Sequence, residues 1–167
     1  MNILALADDP HTAARYHHTV HVRSQAGEAH QVFSDALCRL GIVAAQARHP
    51  YNRAGRFARW CAMSRANAAW LVDLGLALCH EHVIRCGTTH AAEVALLELA
   101  PLLARFPDDV DRTPFAMDKA TASIAAELSL DPIAAYRRRY VAAKLTPRGI
   151  PASWAPHDRP AWIHQAA

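Results

Sequence analysis

The chain has 167 residues, of which 52% are apolar and 20% charged, with a formal net charge of +3. That is one ordinary domain with enough apolar side chain for a sizeable core, too many charges for a membrane protein and too much patterning for disorder. The segment from Met1 turns acidic at Asp8 without a basic leader, and the longest mostly apolar run, 68–79, is short for a bilayer and contains Asp73, so a cytoplasmic protein without membrane contact is expected.

Asn2 to Leu6 is a short apolar run, read as a strand or an extended lead-in. Asp9-Pro10 is a helix start, with Asp as N-cap and Pro at the first helical position. One helix is expected from Pro10 to about Leu40, with room for a break near His18-Thr19. Gly27 weakens it by up to about 1 kcal/mol relative to Ala, and Gly41 closes it. Residues 48–52 read as a loop, because Pro50 forces His49 to be extended. A second helix is expected over Arg53 to Met63. Ser64 caps a third, Arg65 to Cys86, which Gly87 ends; its Trp70, Leu71, Leu74, Leu78 and Val83 recur at helical spacing. Thr88 or Thr89 caps a fourth, reaching Arg105. A loop with Pro107 and Pro114 precedes a short helix within 118–130. Asp131-Pro132 repeats the start signal and opens a last helix to Lys144.

The tail carries Pro147, Pro151, Pro156 and Pro160 and is expected to lack regular structure, with Trp154 and Trp162 pinning it to the body. The architecture is therefore all-α, one irregular helical domain over 1–146 with an extended Pro-rich tail over 147–167. Cysteines 38, 61, 79 and 86 form no Cys-x-x-Cys pair and read as small buried hydrophobes.

Residues 15–31 concentrate histidines. At about 100° per residue, His17, His21, Ser24 and Glu28 fall on one narrow stripe of a helix, while His18 and His30 point elsewhere, into solvent. Glu28 lies about 10 Å along the axis from His21 at a rise of about 1.5 Å per residue. An Fe or Zn ion would therefore need His17 and His21 with a further ligand such as His49 or His90. Without a metal the stripe is a polar wall able to move protons. The same histidines also suit half-buried polar positions with no chemistry.

The stretch from Arg48 to Arg65 holds Arg48, Arg53, Arg56, Arg59 and Arg65 and no acid, which suits phosphate contact or a solvated basic face. Glu81 and Arg85 are an i,i+4 ion pair, worth a few tenths of a kcal/mol on the surface and pointing to function if buried. Gly87 turns the chain and brings His90 to that helix end. Arg137-Arg138-Arg139, between Tyr136 and Tyr140, suits a nucleic-acid backbone or a solvated face. There is no Gly-rich phosphate loop, His-Glu-x-x-His or Gly-x-Ser-x-Gly motif, which removes nucleotide kinases, zincins and common esterases.

Several landmarks resemble, in order, a family of small phage and bacterial proteins labelled pyrimidine-dimer DNA glycosylases of the endonuclease V kind. They are Met1-Asn2-Ile3, Asp9-Pro10, His17, His21-Val22, Glu28, His49-Pro50, Trp60, Asn67, Trp70-Leu71, Glu81, Arg85, Gly87, His90, Thr113-Pro114-Phe115 and Asp131-Pro132 with Ala135-Tyr136-Arg137. The resemblance runs from Met1 to about Trp154. It implies a compact all-α enzyme that cuts a base from its sugar, with the N-terminal amine as nucleophile, a glutamate as partner, a Schiff-base intermediate and basic residues on bent DNA. In this chain Asn2 follows Met1, and the acid nearest Arg23 is Glu28.

The expectation is a DNA-acting enzyme of the glycosylase type without a cofactor. Its site would draw on His17, His21, Glu28, His49, Glu81, Arg85 and His90, with Arg23, Arg53, Arg56 and Arg59 on phosphates. One alternative is a metalloenzyme acting on a small molecule, with Fe or Zn on His17 and His21. Another is a non-catalytic DNA-binding or interaction module. The sequence leaves the oligomeric state open.

Overall fold

The computed structural model describes residues 2–108, 110–145 and 151–165. The expected boundary at 146/147 and Met1 of the family resemblance lie outside the described residues. The fold is all-α, with no strand among the described residues. None of the helices among them is long and apolar enough to cross a membrane.

The lead-in takes the extended form. Ile3, Leu4, Ala5, Leu6 and Ala7 are all buried in the core. A lone extended segment needs partners for its backbone groups, and side chains supply them. The Gln25 amide donates to Asn2 O at 2.8 Å, and its Oε1 accepts from Leu4 N at 3.0 Å. Arg137 Nε donates to Leu6 O at 2.8 Å, and Trp70 Nε1 to Asp8 O at 2.6 Å.

Helix α1 (Pro10–Tyr16) is capped by Asp9, whose carboxylate accepts from Thr12 N at 2.7 Å. The helix expected from Pro10 to about Leu40 breaks where the sequence left room for it, near His18-Thr19: His17 and His18 are both extended and α2 runs Thr19–Arg39. Distant elements replace the lost ladder bonds. Arg85 Nη1 donates to His17 O at 2.6 Å and Nη2 to Arg15 O at 3.2 Å. His18 N donates to Tyr140 Oη at 2.9 Å, and Thr19 N to Ser153 O at 2.8 Å.

Helix α3 (Arg56–Met63) begins three residues later than expected, because Gly55 N closes a turn on Asn52 O at 2.8 Å. Helix α4 (Arg65–Cys86) has Ser64 as its cap and ends at Gly87, whose φ of 70° suits glycine. Helix α5 (Ala92–Leu99) passes into a 3-10 segment, Ala100–Arg105, where one helix from Thr88 or Thr89 was expected. Pro101 lacks the amide hydrogen that an α-helix would use there, and its ring crowds the preceding turn. Helices α6 (Lys119–Leu128) and α7 (Pro132–Lys144) start on Asp118 and Asp131. A short α8 (Trp162–Gln165) stands in the tail, which was expected to be irregular.

Helices α2 and α4 form the central packed pair. They approach closely at Gly75, where an added Cβ would lie 3.1 Å from Ala29 Cβ and 2.7 Å from Leu96 Cδ1 of α5. The tail is fastened by Trp154, which donates to Tyr16 O at 2.9 Å, and by the buried Trp162, edge-on to Tyr16 and Tyr140. Cys61 and Cys79 are buried, and burial pushes both thiols up, Cys79 to about 12. Cys38 is half-buried and Cys86 exposed, so the expectation of four buried cysteines does not hold.

Candidate functional site

Six residues of α2 share one face at steps of three and four, namely Val20, Arg23, Ser24, Gly27, Glu28 and Gln31. They form one wall of an open cleft of about 590 Å³, completed by Arg48 and Tyr51 from the loop after α2 and by His90 and Ala91 beyond α4. Gly27 lies on this wall, where an added Cβ would stand in ordinary contact with Arg48 Nη2 at 4.0 Å.

The loop is held against α2 by α2's own polar side chains. His30 Nε2 donates to Gln46 O at 3.0 Å, and Ser34 Oγ accepts from Arg48 N at 3.0 Å. Gln31 Nε2 donates to His49 O at 3.1 Å. The buried Asp35 carboxylate accepts from Tyr51 N at 2.8 Å and Asn52 N at 3.1 Å.

Glu28 stands on the core side of the cleft, where the lead-in passes. Its Oε2 accepts from Asn2 N at 2.5 Å. The Asn2 side-chain amide donates to Asp118, which also pairs with Arg139. Burial raises the Asp118 pKa, but hydrogen bonds from Arg139 and Thr121 outweigh it and hold the group below its usual range. Residue 2 is thus fixed between two acids, its backbone nitrogen on one and its side chain on the other. His90 accepts from Ala92 N at 3.1 Å through Nδ1 and lies edge-on to His82. Burial lowers its pKa, and the neighbouring His82 and the Arg23 and Arg48 charges add to this. The ring is therefore neutral at pH 7 beside two guanidinium-bearing residues.

Of the expected site residues, the fold gathers Arg23, Glu28 and His90. His17 and His21 do not share a helix and line the core, not the cleft. His17 is wholly buried, with Nδ1 donating to Ala13 O at 2.7 Å, and burial pushes its pKa down to about 3. His21 Nδ1 accepts from Tyr140 Oη at 2.8 Å, and burial and His18 lower its pKa to about 4. His18 and His30, expected in solvent, are buried too.

His49 is exposed and lines a separate cavity of about 300 Å³ with Cys38, Ile42 and Ala47. Glu81 and Arg85 form a buried brace, with Arg85 Nε donating to Glu81 Oε2 at 2.8 Å and His157 Nε2 lying 2.9 Å from the same oxygen. The brace holds the α1–α2 break and the tail rather than the cleft. Arg53 is exposed, Arg56 Nη1 donates to Met117 O at 2.6 Å and Arg59 Nη1 to Ala54 O at 2.9 Å, and none of the three lines the cleft. Among the described residues no group of three His, Cys, Asp or Glu side chains is arranged to hold a metal ion.

Gln31 and Tyr51 were not among the expected site residues, and Arg48 was expected only as one of five arginines suited to phosphate contact. The three- and four-residue steps from Glu28 were a signal for Gln31, but nothing local marks Tyr51.

The buried histidines make acid stability a test of this placement. Their folded pKa values lie below the ordinary 6.5, so they add nothing to the pH dependence above about 6.5. Below it the unfolded chain takes up protons that the folded chain refuses. Stability is expected to fall by about 1.4 kcal/mol per pH unit for each, until about 4 for His21 and about 3 for His17. Urea unfolding at stepped pH checks this, and an unchanged midpoint between pH 6.5 and 4.5 would contradict it.

Comparison of the chain with models of protein families, with curated proteins and with solved structures gives no match.

Proposed function

We propose that the protein is a DNA-acting enzyme of the base-excision type and that the α2 cleft takes the target nucleotide. The observation that carries this is the Glu28 carboxylate, set at the inner edge of a basic cleft and 2.5 Å from the residue-2 nitrogen. Arg23 and Arg48 give the cleft the positive charge that phosphates need. The sequence resemblance points to the same chemistry.

Glu28 acts as general base and then general acid. It takes a proton from the group that attacks the sugar C1′. A bond from that group to C1′ forms, and the C1′–N bond breaks with its electron pair leaving on the base. Glu28 then returns the proton to the departing base. With residue 2 in an amide, the attacking group is water. Were the preceding residue removed, the Asn2 amine would stand at the carboxylate and attack directly. Extrusion of the nucleotide exposes the bond.

Duplex binding is expected to weaken steeply with salt, and Arg48→Ala to lower the slope of log K against log salt by about 1. Fluorescence anisotropy across a salt series measures both. Release of base from ultraviolet-irradiated duplex DNA tests the chemistry. Binding without release would reduce the protein to a DNA-binding module, and no binding would overturn the assignment.

A further inference from the structure

Among the Phe, Trp and Tyr side chains of the described residues, Tyr51 is the one exposed to solvent, at 77%, while Tyr16 is half-buried and the others are buried. It lines the cleft, on the same loop as Arg48. An exposed tyrosine alone would be ordinary, but its backbone is not left free. Asp35 is fully buried, and its carboxylate binds the amides of Tyr51 and Asn52. Burying a charge is costly unless hydrogen bonds compensate it. Here those bonds go largely to a surface loop, so the loop is fixed while its ring faces solvent. Three further side chains of α2, those of His30, Gln31 and Ser34, bind the same loop.

The geometry points to Tyr51 as a preset stacking platform for a planar heteroaromatic ring, an unpaired nucleobase, whose phosphate is met by Arg48 three residues earlier. The inference rests on the cleft being a DNA site. It adds a binding residue that recognises a base face rather than its edge, and so tolerates any base. A fixed platform suits this, because no ordering of the loop is needed when the base arrives.

The test uses two duplexes differing at one bulge, which carries either a single unpaired adenine or an abasic residue. Wild-type protein is expected to bind the adenine bulge about tenfold more tightly. Tyr51→Leu is expected to erase that preference while still binding the abasic duplex as wild type does, and Tyr51→Phe to keep it. Equal binding of both duplexes by the wild type, or an undiminished preference in Tyr51→Leu, overturns the platform and leaves the DNA assignment standing. Binding of neither duplex by the wild type overturns both.

Discussion

Glu28→Gln is expected to slow base release by about two to four orders of magnitude, the usual contribution of a positioned acid/base group, while the protein still folds and binds DNA. The substitution isolates proton transfer from structure. The amide that replaces the carboxylate would keep an oxygen able to accept from Asn2 N, so the lead-in retains its anchor. It would lose only the capacity to take a proton and return it. Arg23 and Arg48 remain to hold phosphates, so affinity is retained. Release rates under single-turnover conditions, with anisotropy for binding, separate the two effects. An unchanged rate would remove Glu28 from the chemistry.

Arg85→Ala is expected to destabilise the fold by about 3–5 kcal/mol, the cost of stranding one member of a buried ion pair. The Arg85 side chain has no exposure, and the Glu81 side chain is 4% exposed. Removing Arg85 leaves the Glu81 carboxylate with only His157, and strips donors from the carbonyls of His17 and Arg15 at the helix break. For a chain of this size the melting temperature is expected to drop by about 10 °C. Replacing both residues with apolar ones of similar volume, as in Glu81→Leu with Arg85→Met, is expected to recover much of the loss. Denaturant unfolding at pH 7 measures each variant. A loss below about 1 kcal/mol is the range of a solvent-screened surface pair, and would contradict the buried brace.

Helix ends were legible at several local signals, though Thr88 and Thr89 mark no start and α5 begins only at Ala92. Asp9, Ser64, Gly41, Gly87 and Asp131 each act through their own side chain or backbone freedom within a few residues. The sequence left room for a break near His18-Thr19, but what holds the chain there was not legible, because Arg85, Tyr140 and Ser153 act from far along the chain. The change to a 3-10 segment after Leu99 could have been read from Pro101.

The site shows the same division. Periodicity placed Ser24 and Glu28 together on α2, and both line the cleft. His21 lies about 20° from Glu28 around the axis, yet two turns away it faces Tyr140 of α7 while Glu28 faces Asn2. A helical wheel gives the face of a residue but not what lies opposite at each level. The placement of Arg48 and Tyr51 depends on His30, Gln31, Ser34 and Asp35 reaching across to the loop, a pairing without a sequence pattern.

A crystal structure of the protein with a duplex bearing an uncleavable, fluorine-substituted sugar at the target position addresses the cleft most directly. The expected result is that nucleotide turned out of the helix, its C1′ within about 3.5 Å of the attacking group beside Glu28, and Arg23 and Arg48 on the adjoining phosphates. DNA seated on another face, with the α2 cleft vacant and the target base still stacked, would contradict it.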